Sequence, residues 1–295
     1  MSAPKSLDAL RREIDAIDDS IHDLLMDRMK VVEKVRDFKR DYKVKIKPHR
    51  EAEILYRLIS RHQGPFPKRE LVRMWRELIV ATLTIEGPFS VAVYLDEGEE
   101  GYWDLARDQY GSFTPMSAQG SVRRVIDAVR SQKATVGILP LPQRDNDDPW
   151  WRHLVTESDD APRIIARLPF AGPGNNRGTD LGALVICPVA QEPTSRDHSF
   201  LAIETDDEIG LGRLGSALTH AGLPPVFTAA WHEGRASDPW LYLAEVGVFV
   251  AKDDRRAARL LDRLGKPVKR LVWLGGFAAP LTADELATSA EDNLA

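Results

Sequence analysis

The chain has 295 residues, of which 43% are hydrophobic and 29% charged, a balance typical of a globular protein with two or three domains. Its net charge of −5 argues against a nucleic-acid partner, and no apolar run is long enough to span a membrane. Charges stand where a signal peptide would need its apolar stretch and there is one cysteine, Cys187, so we expect a cytoplasmic protein with a small-molecule ligand.

The N-terminal part of the sequence has the pattern of three helices. Apolar residues recur at helical spacing from Leu7 to about Asp41, with no Pro or Gly, which predicts one long helix. A second helix is predicted from Pro48 to about His62, and a third from about Lys68 to Glu86. The first helix would be roughly 50 Å long, so part of its apolar stripe needs cover, and another subunit is the obvious candidate.

The rest of the sequence has an α/β pattern. Short apolar runs alternate with helical patterns after Pro88, and the order from Ser199 to about Phe277 is strand, helix, strand, strand, helix, strand. The predicted fold class is therefore multidomain α plus α/β. The predicted domains are a helical domain at 1–87, an α/β segment at 88–195, a small βαββαβ sandwich at 196–283 and a polar tail at 284–295.

Charged and polar residues interrupt the stripes that the three helices should bury. Arg28 and Lys39 are eleven residues apart and therefore only ~20° apart around the axis of the first helix. Glu51 is aligned with the apolar face of the second helix, and Thr82 and Glu86 continue that of the third. This pattern is typical of a polar pocket in a helical domain. The alternative is that these charges reach out from helix ends or pair with one another across the domain.

Arg11 and Arg28 project from different sides of the first predicted helix. The two residues are about 100° apart around the same helix, so both can serve one pocket only if Arg11 comes from another chain. The seven histidines are scattered, with no spacing typical of metal ligands, and we predict no metal and no cofactor.

The same residues carry a resemblance to the all-helical chorismate mutases. The stretch ALRREIDAIDDSIHDLLMDRMKVVEKVRDFK resembles the first helix of that family, KPHREAEIL resembles its Arg-Glu motif, and WRELIVATLTIE resembles its last helix. The family's site residues correspond to Arg11, Arg28, Lys39, Arg50, Glu51, Thr82 and Glu86. One departure is Lys47, which stands where the family often has an aspartate.

The resemblance implies an intertwined homodimer that converts chorismate to prephenate without a cofactor, with Arg11 entering the site from the partner chain. In that family-based assignment, Arg28 and Arg11 hold the two carboxylates of the substrate. Lys39 and Glu86 flank the breaking ether bond, and Glu51, with Thr82 and Arg50, belongs to the substrate-binding set. Glu86 can donate a hydrogen bond only when protonated, so we expect activity to fall as pH rises past neutrality.

The second half resembles, in outline, a prephenate dehydratase followed by an ACT-type regulatory domain. VGILPLPQR stands where that family has a Pro-Ile-Glu-Asn-Ser phrase, and the Thr-Arg-Phe signature has no counterpart near NNRGTDLGALVI, so we predict no dehydratase activity. IGLGRLGSALTHAGL resembles the helix region of phenylalanine-sensing ACT domains, whereas TAAWHEG replaces their Glu-Ser-Arg-Pro motif. This segment either binds an aromatic amino-acid effector or strengthens dimerisation. Two alternatives for the whole protein stay open: a bifunctional mutase-dehydratase and a non-catalytic amino-acid sensor.

Overall fold

Three helices form where the sequence predicts them. In the computed structural model, α1 spans Leu7–Phe38, α2 Pro48–Arg61 and α3 Lys68–Glu86. Pro48 lies in the first turn of α2, where its missing N–H would have no helical partner. The residues that the structure describes are 6–38, 42, 44–96, 100–158, 160–172, 181–235 and 238–287, so the predicted end of the first helix near Asp41 lies outside them.

The apolar stripe of α1 is exposed. This helix has no buried residue along its whole length. Its large apolar side chains remain accessible, with exposed fractions of 63% at Leu7, 57% at Ile14 and 69% at Leu24. Exposed apolar area on this scale is unusual for a folded chain on its own and indicates a surface that another element covers.

The chain divides into two compact units that share α3. One contains Met1–Lys45 and Ala81–Pro88, and the other contains Ile46–Val80 and Phe89–Ala295. The division does not coincide with the predicted boundary after residue 87. The reason is that α2 and the first part of α3 share a hydrophobic cluster with residues from much later in the chain. The cluster contains Ala52, Leu55, Ile59, Val72, Phe170, Leu281 and Leu286.

Nine strands form a single sheet within the described residues of the second unit. The strands are β1 Val91–Tyr94, β2 Met116–Gln119, β3 Val136–Pro140, β4 Arg163–Leu168, β5 Ala183–Cys187, β6 Asp197–Thr205, β7 Pro225–Trp231, β8 Trp240–Val246 and β9 Val268–Ala278. Their order across the sheet is β2-β1-β3-β5-β4-β9-β6-β8-β7. The helices between them are α4 Gly101–Tyr110, α5 Val122–Arg130, a 3₁₀ helix at Trp150–Leu154, α6 Leu211–Ala221 and α7 Arg255–Leu264.

The first half of this sheet is mixed. β1 pairs in parallel with β2 and β3, as expected for strands joined through helices, whereas β5 is antiparallel to both β3 and β4. Cys187 is the last residue of β5 and is fully buried, and this burial raises the pKa of its thiol. Burial of both faces explains why β5 is a continuous apolar run in the sequence.

The second half confirms the predicted order of elements, β6-α6-β7-β8-α7-β9. The four strands are antiparallel, and α6 and α7 pack with them around one hydrophobic cluster that includes Leu214, Leu218 and Leu260. The predicted boundary at 195/196 lies within a continuous sheet, because β9 also pairs in parallel with β4 at Ile164 and Gly275.

Gly275 permits the junction between the two halves of the sheet. Its φ is +105°, and a Cβ at this position would overlap the carbonyl oxygen and the nitrogen of Ile164. Nearby, the Arg163 guanidinium donates to the carbonyl oxygen of Trp273 at 2.9 Å, so a side chain reinforces the same contact between β4 and β9. The strand pairing therefore requires a glycine here.

A last short helix occupies the start of the predicted polar tail. α8 spans Ala283–Leu286, and Thr282 and Glu285 form a capping box at its beginning. Leu286 is buried in the cluster shared with α2 and α3. The rest of the predicted tail, from residue 288 on, lies outside the described residues.

Candidate active site

The first unit brings two of the predicted site residues together. Arg28 of α1 donates from Nη1 to Oγ1 of Thr82 in α3 at 2.9 Å. Thr82 is 8% exposed, and partial burial lowers the pKa of Arg28 below its ordinary value. A guanidinium that has lost part of its hydration gains more from an anionic partner than one in open water, so this position suits a carboxylate ligand.

Glu86 lies one helical turn after Thr82 and on the same face of α3. It is 9% exposed, although it is the last residue of its helix, where charged side chains usually face water. Its predicted partner across the ether bond, Lys39, lies outside the described residues.

Arg11 lies far along α1 from this group. Arg28 follows Arg11 by 17 positions, which at 1.5 Å per residue corresponds to about 25 Å along the helix axis. The Arg11 side chain is 66% exposed and contacts Asp8, one turn earlier, at 3.4 Å. Within one chain it does not reach the Arg28 group, which agrees with the azimuthal argument from the sequence.

Glu51 belongs to the second unit, where it forms a buried ion pair. Nη1 of Arg76 donates to Oε2 of Glu51 at 2.9 Å, and the two side chains are 6% and 9% exposed, respectively. Burial lowers the pKa of Arg76, and the neighbouring Glu51 carboxylate opposes this shift. The Arg76 guanidinium also lies over the ring of Phe170, 4.8 Å from its centre.

Arg76 was not among the site residues predicted from the sequence. Arg76 follows Val72 by four residues and precedes Ile79 by three, and all three are buried, so it stands on an apolar face of α3. Arg76 therefore interrupts an apolar stripe in the same way as Glu51 does on α2. Glu51 and Arg76 carry opposite charges on the apolar stripes of the neighbouring helices α2 and α3. This complementarity is the signal from which their pairing could have been predicted.

The remaining predicted positions are more exposed. The Arg50 side chain is 63% exposed and lies 3.7 Å from Glu53 on the same helix. Lys47, the departure from the family pattern, contacts Glu192 at 2.6 Å, and this hydrogen bond lowers the pKa of the Glu192 carboxyl. Lys47 therefore has an anionic partner within the second unit.

No group of three His, Cys, Asp or Glu side chains among the described residues could hold a metal ion. No described helix is long and apolar enough to cross a membrane.

The helical segment of the chain matches a known enzyme family. Residues 10–87 match the family described as chorismate mutase type II, an isomerase family, and this confirms the resemblance on which the helical site was predicted.

Curated relatives extend the similarity beyond the helices. A bifunctional chorismate mutase/prephenate dehydratase of Aquifex aeolicus is 30% identical over 142 residues, 46% of this chain and 39% of the relative. That of Stutzerimonas stutzeri is 29% identical over 149 residues, 48% of this chain and 40% of the relative. The chain thus spans about two fifths of the length of the curated relatives it matches. A solved prephenate dehydratase from Arthrobacter aurescens in complex with L-Phe has a TM-score of 0.46 and 11% identity, covering 70% of this chain and 96% of its own.

Proposed function

We propose that the protein is a chorismate mutase, which rearranges chorismate to prephenate. One observation carries the proposal: the Arg28 guanidinium donates to the buried Thr82, one turn before the buried Glu86, within a segment that matches the chorismate mutase type II family. Cation, hydroxyl and carboxyl groups on helix faces suit a small substrate with two carboxylates, a ring hydroxyl and an ether oxygen.

The reaction requires the protein to orient the substrate and to stabilise the charge that develops in the transition state. The ether C–O bond breaks while a new C–C bond forms within the same molecule, so no nucleophile, oxidant or cofactor takes part. We assign Arg28 and the Arg11 of a second chain to the two carboxylates, which they would hold in the compact conformer that reacts. Lys39 and Glu86 would donate to the ether oxygen, on which negative charge develops as the bond stretches.

The substrate-binding set comprises Glu51, Thr82 and Arg50 in this proposal. Glu51 would accept from the ring hydroxyl, and the 2.9 Å hydrogen bond from Arg76 gives its carboxylate a defined orientation. Thr82 would orient the Arg28 guanidinium through the hydrogen bond that it already accepts.

We further propose that the working unit is an intertwined homodimer. The support is twofold. The apolar stripe of α1 is exposed along its length in the single chain, and Arg11 lies about 25 Å along the helix axis from Arg28. A second copy of α1 would cover the stripe and bring its own Arg11 to the distant group. The isologous arrangement would give two equivalent sites per dimer.

For the C-terminal segment we propose an ACT-like regulatory or dimerising role. The support is the βαββαβ order of β6 to β9 and their antiparallel pairing. An aromatic amino acid is the effector class that the family resemblance suggests. A cytoplasmic location stays a prediction from the sequence.

A bifunctional mutase-dehydratase is the second candidate, favoured by the names of the curated relatives. The two candidates differ in one measurement. Incubation with prephenate at neutral pH yields phenylpyruvate only if the chain also dehydrates prephenate, and we expect none.

Chorismate consumption by the full chain tests the main proposal. We expect turnover with prephenate as the product, and a loss of two or more powers of ten in kcat/KM for Arg28→Ala. Arg57→Ala, an exposed arginine of α2, is the matched control and should retain wild-type turnover. Absence of turnover in the wild-type protein would contradict the mutase proposal and favour the alternative of a non-catalytic amino-acid sensor.

A further inference from the structure

A cavity of about 370 Å³ lies in the second unit. Its walls come from the first half of α3, the second half of α4 and the residues at the end of β4 and just after it. The volume falls in the range of pockets that hold small metabolites. The described residues that line it include none of those assigned to the mutase reaction, so the cavity needs an explanation of its own.

Charges of both signs line this cavity. Arg69, Arg73 and Arg76 follow one another at spacings of four and three residues on α3, and Glu70 and Asp108 add carboxylates. Arg76 already donates a hydrogen bond to Glu51. Nη2 of Arg73 lies 3.8 Å from Oδ1 of Asp108, at the outer limit of distance for an ion pair. The Arg73 side chain is 64% exposed.

One buried polar atom of a lining residue has no hydrogen-bond partner in the part of the chain that the structure describes: Nε of Arg76. Gln109, which is 7% exposed, also lines the cavity and places an amide there. Since nearly all buried polar groups in folded proteins are hydrogen-bonded, the Arg76 Nε points to a polar ligand.

An apolar wall completes the cavity. It consists of Val72, Leu105, Leu168, Pro169 and Phe170, and the ring of Phe170 is already in contact with the Arg76 guanidinium. The cavity thus presents guanidinium groups, carboxylates, an amide and an apolar surface within one small volume. A ligand that satisfies all four has a negative group, a positive group and an apolar side chain.

We propose that this cavity binds a free α-amino acid with an apolar side chain, at a site separate from the mutase site. Its carboxylate would accept from Arg73 and Arg69 and from the Gln109 amide. Its ammonium group would donate to Asp108, replacing the long contact that Asp108 now makes with Arg73. The side chain would lie against Leu105 and Phe170. A simple dicarboxylate fits less well, because Asp108 and Glu70 would repel its second charge.

Isothermal titration of the full chain with L-phenylalanine and L-leucine tests the ligand class. Phenylpropionate, which lacks the ammonium group, and phenethylamine, which lacks the carboxylate, are the matched probes. We expect saturable binding of the amino acids, and Kd values at least about tenfold higher for the two probes with one charge. No binding of either amino acid at millimolar concentration, or equal binding of phenylpropionate, would overturn the proposal.

Two variants test the location of the site. Arg73→Gln removes an exposed cation from the rim, and Gln109→Leu removes the buried amide at nearly constant volume. Each should raise the Kd for the amino acid at least about tenfold, because Arg73→Gln removes a positive charge that attracts the carboxylate and Gln109→Leu removes a hydrogen-bond donor to it. Arg57→Gln, on α2 outside the cavity, should leave the Kd unchanged. Binding unaffected by both cavity variants would place the amino acid elsewhere in the chain and refute this site. Arg73→Gln alters only a surface side chain, so its result stands even if Gln109→Leu fails to fold.

Discussion

The Glu51 carboxylate lies 2.9 Å from Nη1 of Arg76, and less than a tenth of either side chain is exposed. The pair joins α2 to α3 inside the second unit. Removing one member leaves the other as an unpaired buried charge, which is far more costly than removing both.

The variant Arg76→Met should therefore lower the free energy of unfolding by roughly 3–5 kcal/mol. The double variant Glu51→Leu with Arg76→Met should recover much of that loss, because no uncompensated charge remains. Urea unfolding of the wild type, both single variants and the double variant gives the coupling energy of the pair. Additive losses in the double variant would show that the two charges are not coupled.

Complementation between inactive chains tests the assignment of Arg11 to the partner's site. Arg11→Ala and Arg28→Ala homodimers should each be nearly inactive. If they are mixed, dissociated and reassociated, half of the dimers are mixed and each mixed dimer has one intact site, giving about a quarter of wild-type activity. The control is each variant treated alone. If Arg11 acts on the site of its own chain, the mixture stays inactive.

Glu86 should contribute to turnover as a hydrogen-bond donor to the ether oxygen. Glu86→Ala removes that group and should lower kcat/KM for chorismate by roughly two powers of ten, whereas Glu86→Gln keeps a donor at the same place and should lose much less. Initial rates of chorismate consumption measure both variants. Wild-type rates in the Ala variant would exclude this role for Glu86.

Gly275→Ala should destabilise the second unit. The new Cβ would overlap the Ile164 backbone, and the positive φ of +105° is strained for alanine. We expect a loss of more than about 2 kcal/mol in the free energy of unfolding. Gly215→Ala is the matched control, because it lies inside α6 with open space around its Cβ position. That variant should be neutral or more stable by up to about 1 kcal/mol. Equal effects at the two glycines would contradict the close approach of β4 and β9.

Asp254 gives the second unit a pH-dependent term in its stability. Its side chain caps α7 by accepting from the backbone N–H of Arg256 at 2.8 Å. Hydrogen bonds from the Arg256 side chain lower the pKa of the Asp254 carboxyl below its ordinary value of 3.8. The folded state thus favours the ionised form, so the stabilisation is fully present above that ordinary value and is lost as pH falls toward the lower pKa of the folded state.

The variant Asp254→Asn keeps the cap acceptor and removes the charge. Its stability should be below that of the wild type at neutral pH, and the difference should shrink as the pH falls through 3.8, the ordinary pKa of the carboxyl. Urea midpoints at several pH values measure this. A difference that stays constant down to pH 2 would rule out the ionised carboxylate as its source.

The helices and the C-terminal element order could be predicted from the sequence because local patterns determine them. The periodicity of apolar residues and the breaks at Pro48 and Gly87 gave α1, α2 and α3 within a few residues. The pairing of Ile164 with Gly275 could not be found in this way. It joins positions more than a hundred residues apart, and nothing local in either strand specifies its neighbour.

The candidate site was predictable only in part for a similar reason. Arg28 and Thr82 lie on different helices, and their hydrogen bond agrees with the stripe argument that singled out both. The Glu51–Arg76 pair follows the same physical rule, but Arg76 is not one of the site positions that the family resemblance assigns. The cavity between α3 and α4 has no sequence signature, because its lining combines residues from distant segments.

The contact between β4 and β9 also limits how this protein can be dissected. Cutting the chain after residue 195 would remove β9 and with it the strand on the open side of β4. The backbone N–H and C=O groups of Ile164 and the buried side chains around it would then face water along a bare strand edge, which is a template for aggregation. Point substitutions in the complete chain, rather than shortened chains, are therefore the sound way to assign functions to its two halves.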